Sequence, residues 1–214
     1  MKYLTYGTLA VVAMLAIALS GAATASATGS YCSTKTSPCT GIEYGVGVGN
    51  DLEATLKKGT EASFGWVGVA PKCTESTLDY NLEDKNLMTG DPTGEITLTF
   101  GNCSCPVTTI KNGSIESKTE VAGKPNGNAT LVDKGTQITF ECGGDKCVWG
   151  WATAGGTFGQ FVGGAPAVIN VKATLSFFAT DNSELECTGL NNGTATATFT
   201  ATYEVTEPNP AFFG

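Results

Sequence analysis

The chain has 214 residues, a formal net charge of −8, and neither histidine nor arginine. An acidic chain repels nucleic-acid phosphates and anionic lipid headgroups, so neither is an expected partner. Without histidine the chain cannot form Ser-His-Asp or Cys-His catalytic groups, histidine general bases or histidine metal ligands.

The first 27 residues have the features of an export signal. Lys2 supplies the positive start, and Leu9 to Leu19 form an unbroken apolar run, followed by the A-x-A sequence Ala25-Ser26-Ala27. The apolar run is shorter than the 18 or so residues that span a bilayer. We therefore predict a signal peptide over 1–27 and a secreted, extracellular mature chain without a transmembrane segment.

The remaining residues predict one domain. Residues 28–50 are rich in Gly, Ser and Thr and are interpreted as an irregular leader with Cys32 and Cys39. Residues 51–214 suit one β domain, because globular domains commonly have about 100–200 residues. Abundant Thr, Ser, Asn and Gly favour sheets and turns over solvated helices.

The strand patterns strengthen along the chain. Leu52 and Leu56 alternate with polar residues, which favours a strand, although Asn50 and Gly59 could instead bracket a short helix. The later strand patterns are Ala62–Val69, Glu95–Phe100, Gln137–Cys142, Val148–Ala152 and Val168–Phe178.

The last pattern is the clearest. Threonine occupies every second position from Thr194 to Thr202, and the positions between hold mainly apolar residues, as in a half-buried strand. Turn sequences such as Asn112-Gly113 separate the patterns, and Gly155–Gly164 is interpreted as a loop. These features predict an all-β fold, a disulfide-reinforced antiparallel β-sandwich of immunoglobulin-like or jelly-roll-like type.

Eight cysteines follow the predicted cleavage site, and an even number in an exported chain indicates up to four disulfides. They are Cys32, Cys39, Cys73, Cys103, Cys105, Cys142, Cys147 and Cys187. Short separations favour Cys32–Cys39 and Cys142–Cys147. Cys103 and Cys105 lie too close to pair with each other, so we expect Cys73–Cys103 and Cys105–Cys187. A zinc site with four thiolates is the alternative, but its usual spacing is C-x2-C and its thiolates do not persist in an oxidising compartment.

An ordered set of motifs between Trp66 and Pro208 resembles a group of small secreted proteins of soil actinobacteria. The motifs are Cys73–Leu78, Gly94–Phe100 with Asn102-Cys103, Phe140–Cys142, Cys147–Gly150, and Cys187 ahead of Thr198–Val205. This resemblance implies an exported β-rich domain and carries no activity with it.

Two oxygen-rich segments are candidate metal sites. Asp79–Asp84 begins like a calcium loop but lacks glycine at its sixth position and the distal glutamate. Asp181–Glu184 is a second acidic cluster. We interpret both as solvated turns, and we expect no metal and no cofactor. No pair of the 20 acidic residues stands out as an acid and a nucleophile, so a carboxylate-dependent glycosidase is the least favoured function.

Trp149 and Trp151 provide one candidate binding site. On a strand they project from the same face about 7 Å apart, and exposed indoles at this spacing form a platform for sugar rings. Buried indoles would instead be core residues. We therefore expect a secreted, non-enzymatic protein with a structural or interaction role at the cell surface. Its expected partner is an unknown protein or glycan, and a carbohydrate-binding module using these tryptophans is the alternative.

Overall fold

The computed structural model describes residues 31–35, 43–44, 51–65, 70–82, 92–119, 126–132, 136–142, 145–151, 154–180 and 196–213. Within these ranges the chain is all-β, as predicted, and contains no helix. The strands are β1 Tyr31–Cys32, β2 Glu43–Tyr44, β3 Leu52–Leu56, β4 Ala62–Gly65, β5 Lys72–Leu82, β6 Thr93–Cys103, β7 Val107–Lys111, β8 Gly113–Thr119, β9 Asn126–Leu131, β10 Gln137–Cys142, β11 Asp145–Trp151, β12 Thr157–Val162, β13 Val168–Thr180, β14 Thr196–Glu207 and β15 Phe212–Phe213.

Eight strands close into an antiparallel barrel. The circuit runs β3–β5–β6–β8–β9–β12–β13–β14 and returns to β3. Neighbours in this circuit follow one another in chain order, which is the topology of an up-and-down barrel. The predicted sandwich is therefore wrong, because the sheet closes on itself and does not divide into two packed layers.

Four shorter strands lengthen the barrel at one end. β4 pairs with the parts of β5 and β14 that lie beyond β3. β11 pairs with the second half of β13, β10 pairs with β11, and β7 pairs with β10. Each of these strands thus continues the line of a barrel strand across a short break.

Buried and exposed side chains alternate along β14, as its sequence predicts. Ala197, Phe199 and Tyr203 are buried, whereas Thr196 and Thr200 are exposed. The apolar side chains of the other strands fill the same interior. Phe64 packs there against Phe199, with ring centroids 4.7 Å apart and ring planes only 12° apart.

The opposite end of the barrel is closed by short strands from the beginning and the end of the described chain. β1 pairs with both β2 and β15 in a separate three-stranded sheet. Tyr31 and Phe213, which are register partners in that sheet, are both buried. The strand at Tyr31 therefore lies in the segment that the sequence indicated as irregular.

One corner of the barrel lacks a ladder. β6 pairs with β8 only through Thr93 to Ile96, and no described residue of β6 pairs with β7. We call this corner the β6–β7 seam. Disulfides flank it, because Cys73 bonds Cys103 across β5 and β6, and Cys105 bonds Cys142 beside β7 and β10.

The cysteine pairing differs in part from the prediction. The expected Cys73–Cys103 bond is present. The expected Cys105–Cys187 and Cys142–Cys147 bonds are wrong, because Cys105 and Cys142 bond each other. Cys105 lies two residues before β7, opposite Cys142 at the end of β10, because the pairing of these strands continues past Val107. Sequence separation does not reveal this proximity. Cys32 and Cys147 each form a disulfide bond as well. Cys39 and Cys187 lie outside the described residues, so the expected Cys32–Cys39 bond stays a prediction.

The strand predictions are right in one part of the chain and wrong in others. Leu52–Leu56 is a strand, as expected, and the alternative helix is wrong. Most of the segment interpreted as a glycine-rich loop is β12, and Asn112-Gly113 joins β7 directly to β8. β5 also absorbs the start of the supposed calcium loop, since Asp79 and Asn81 lie along a strand instead of around a turn.

Candidate functional site

Trp149 and Trp151 do share one face of β11, as predicted, but that face is the inside of the barrel. Their side chains are 0% and 1% exposed. Trp151 packs edge to face against Phe158 at 5.7 Å, and Trp149 packs in the same way against Phe177 at 5.6 Å. The exposed sugar platform is therefore wrong, because both indoles are core residues.

Tyr31 fills the closed end of the barrel with an aromatic ring. The ring makes edge-to-face contacts with Phe213 at 4.9 Å, Phe161 at 5.1 Å and Tyr80 at 6.0 Å. Its hydroxyl shares a 2.8 Å hydrogen bond with Oγ of Ser117. Burial raises the pKa of Tyr31 to about 12, although the bond to Ser117 lowers it in part.

A small cavity remains beside this ring. Its volume is about 20 Å³, which is near the space that one water molecule needs. Leu78, Ala129 and Ile169 are among its apolar lining residues. A cavity of this size and lining does not accommodate a substrate.

A second buried tyrosine makes a hydrogen bond inside the barrel, between two strands that both neighbour β3. The hydroxyl of Tyr203 on β14 lies 2.8 Å from Oγ of Ser76 on β5, and Ser76 donates onward to the carbonyl of Thr99. Burial raises the pKa of Tyr203 well above its usual range, and the bond to Ser76 opposes that shift. The hydroxyls of Tyr31 and Tyr203 thus each have a hydrogen-bond partner inside the apolar core, as buried polar groups require.

The outer surface carries rows of hydroxyl groups. Thr55, Thr77 and Thr99 are register partners across β3, β5 and β6, and the last two share a 2.7 Å hydrogen bond between their Oγ1 atoms. On the adjoining strands Thr174 is paired with Thr198 in the same way. The threonine ladder noticed in β14 is thus one part of a hydroxyl-rich face that crosses several strands.

An acidic row lies on the same side of the barrel. Glu53 on β3 is the register partner of both Asp79 on β5 and Glu207 on β14. Desolvation by partial burial raises the pKa of Asp79, and the nearby charge of Asp51 adds to that shift. Like charges that oppose each other across antiparallel strands destabilise the sheet.

The described residues do not gather their acidic and cysteine side chains into a group able to hold a metal ion. Of the two candidate calcium segments, only the start of the first is described, and Asp181–Glu184 lies outside the described ranges. The same part of the chain has no helix long and apolar enough to cross a membrane.

The fold and its interior define a disulfide-bonded up-and-down β-barrel with a packed core. Comparison of the chain with protein-family models, curated proteins and solved structures finds no match. The resemblance to secreted proteins of soil actinobacteria therefore stays a prediction.

Sequence reasoning missed the roles of Tyr31 and Ser117. The one available signal was an isolated aromatic residue beside Cys32 in an otherwise small and polar segment. Nothing in the local sequence indicates the contact, because the two residues lie 86 positions apart.

Proposed function

We propose that this chain is an exported, non-enzymatic protein with a structural or interaction role outside the cell. The observation that carries the proposal is the distribution of side chains across the barrel wall. The described tryptophans, Trp149 and Trp151, are turned into the core, and the hydroxyl groups of exposed threonines are turned outward. Binding therefore falls to the outer surface.

The disulfides support the extracellular part of the proposal. All six described cysteines are in disulfide bonds, and such bonds persist in oxidising compartments. Two of them flank the seam, where a hydrogen-bonded ladder is missing. Covalent reinforcement at a weak corner suits a protein that must stay folded without chaperones or reducing enzymes around it.

We assign the interaction to the hydroxyl-rich face centred on β14. Exposed Thr200 lies between Lys172 and Ser63 in register, so this surface offers donors and acceptors with little net charge. The acidic row borders it at one end. A polar partner, either a protein or a glycan, would fit such a surface better than an apolar one.

Site-specific crosslinking on secreting cells tests this assignment. A photo-crosslinking residue is placed at exposed Thr200 on β14, and a matched control is placed at exposed Asn128 on β9, which is three strands away around the circuit through β13 and β12. We expect cell-surface adducts from the Thr200 position and few from Asn128. Adducts from Asn128 alone would contradict the chosen face.

Fractionation of the same cultures tests the wider proposal. We expect a mature chain that lacks residues 1–27 and is found with the cell surface. A free monomer in the medium that turns over a polymer would contradict the non-enzymatic surface role. An uncleaved chain retained in the cytoplasm would contradict export.

A further inference from the structure

The described part of the barrel wall holds buried polar atoms that lack a hydrogen-bond partner. Oγ1 of Thr109, Oγ1 of Thr136 and Nε1 of Trp151 are buried, and none has a hydrogen-bond partner among the described residues. Thr136 and Trp151 are each 1% exposed. Buried polar groups in native proteins are nearly always hydrogen-bonded, so we expect each of these three to have a partner.

Strand register places the three groups on one patch of the wall. Ile138 on β10 is the direct partner of Thr109 on β7 and of Trp149 on β11. Thr136 and Trp151 lie one inward position further along, where the Trp151 amide donates to the Thr136 carbonyl at 3.4 Å. Inward positions on neighbouring strands are about 5 Å apart, and successive ones on a strand are about 7 Å apart.

Gly113 leaves room for the Thr136 hydroxyl. A Cβ atom at Gly113 would collide with Oγ1 of Thr136 and would come within 2.8 Å of its backbone nitrogen. The Thr136 side chain therefore lies against Gly113, inside the barrel and next to the end of β7.

The β6–β7 seam lies beside this patch. β7 carries Thr109 and has no ladder partner on its β6 side among the described strands. Thr109 is only half-buried, although its Oγ1 atom is fully covered. A molecule that leaves the barrel between β6 and β7 would therefore break no ladder hydrogen bond of the described strands.

We propose that Thr109, Thr136 and Trp151 form an internal binding site for water molecules, which exchange through the β6–β7 seam. A water molecule accepts from the indole N–H and both donates to and accepts from the threonine hydroxyls. Ordered waters of this kind commonly make about three hydrogen bonds to otherwise unsatisfied buried groups.

A bound water reverses the expected effect of Thr136→Val on the stability of the fold. If the Thr136 hydroxyl had no partner, Thr136→Val would remove a buried polar atom and would stabilise the fold. If the hydroxyl binds a held water, the same change loses a hydrogen bond. We expect Thr136→Val and Thr109→Val each to raise the unfolding equilibrium constant about fivefold, relative to Thr200→Val on the outer face.

Nuclear magnetic resonance provides a readout that is independent of stability. We expect a cross-peak between a long-lived water and the Trp151 indole N–H of the folded chain, assigned by its loss in Trp151→Phe. It should weaken in Thr136→Val, provided that the variant keeps the native amide spectrum. If the wild-type cross-peak is absent, the proposal is overturned whatever the stabilities of the variants. A cross-peak unchanged in both threonine variants also overturns it.

Discussion

The hydroxyl of Tyr31 lies 2.8 Å from Oγ of Ser117, which joins the beginning of the described chain to the wall of the barrel. The Tyr31 ring closes one end of the core, and the paired strands β1 and β15 hold it there. The barrel is thus completed by a residue only four positions after the predicted cleavage site at Ala27.

Truncation of this ring should be costly. We expect Tyr31→Ala to lower the free energy of unfolding by about 3–5 kcal/mol, because a buried aromatic ring is lost and a cavity remains. Tyr31→Phe keeps the ring and should cost only about 1 kcal/mol for the hydrogen bond. Urea unfolding of both variants checks this. Equal losses would show that the ring contributes nothing beyond its hydroxyl.

Alkaline pH should destabilise the barrel through its buried tyrosines. Burial raises the pKa of Tyr31 to about 12 and shifts that of Tyr203 in the same direction. The unfolded chain releases these protons near pH 10, before the folded chain does, so stability falls as pH rises above about 10. We expect Tyr31→Phe/Tyr203→Phe to show a shallower fall in stability between about pH 10 and 12 in urea titrations. Parallel curves would assign the fall to other groups.

Asp79 should make the barrel more stable at mildly acidic pH. Because desolvation and Asp51 raise the pKa of Asp79, the folded chain binds a proton more readily than the unfolded chain. Stability then rises as pH falls from neutral through that raised pKa. We expect Asp79→Asn to raise the melting temperature at neutral pH and to remove part of the pH dependence of the folding stability. Glu116→Gln on the far side of the barrel is the matched control, and equal gains in both variants would point to net charge alone.

Gly113 should not tolerate a side chain. We expect Gly113→Ala to cost about 1–3 kcal/mol, since its Cβ would collide with Thr136 in a packed interior. Gly65→Ala is the control, because a Cβ atom added at Gly65 would meet nothing within 4 Å. Adding Thr136→Ala should restore only part of the loss, as the backbone nitrogen of Thr136 remains in the way. Thermal unfolding of the three variants distinguishes these outcomes, and full tolerance of Gly113→Ala would contradict the described packing.

The disulfides Cys73–Cys103 and Cys105–Cys142 should contribute similar amounts to the free energy of unfolding. They close loops with sequence separations of 30 and 37. In the chain-entropy model each is worth about 3–4 kcal/mol. Paired alanine variants, compared by urea unfolding, check this. Peptide mapping under non-reducing conditions should first recover both pairs, and recovery of Cys142 with Cys147 would contradict the described corner.

Strands are predictable from the sequence where both faces have a clear character. β14 was predicted because threonine and apolar residues alternate over its length. β5 was missed because Thr74 and Glu75 are consecutive exposed residues, which breaks the alternation that indicates a strand. Closure into a barrel was not predictable, since half-buried strands have the same pattern in a sandwich and in a closed sheet.

Trp149 and Trp151 show the same limit of sequence-based prediction within a single strand. The spacing of Trp149 and Trp151 correctly places them on one face. It does not say which face is inside, because that depends on the strands that pair with β11. The cysteine pairs were equally dependent on register, and Cys105 met Cys142 through the pairing of β7 with β10.

The solvent exposure of Trp149 and Trp151 shows directly whether the interior of the barrel is packed. The measurement is fluorescence quenching of the folded Trp66→Phe chain by iodide and acrylamide, since only these two tryptophans then remain. We predict blue-shifted emission that resists both quenchers until the chain unfolds. Red-shifted emission that is quenched readily in the folded chain would contradict the packed barrel and restore an exposed aromatic platform.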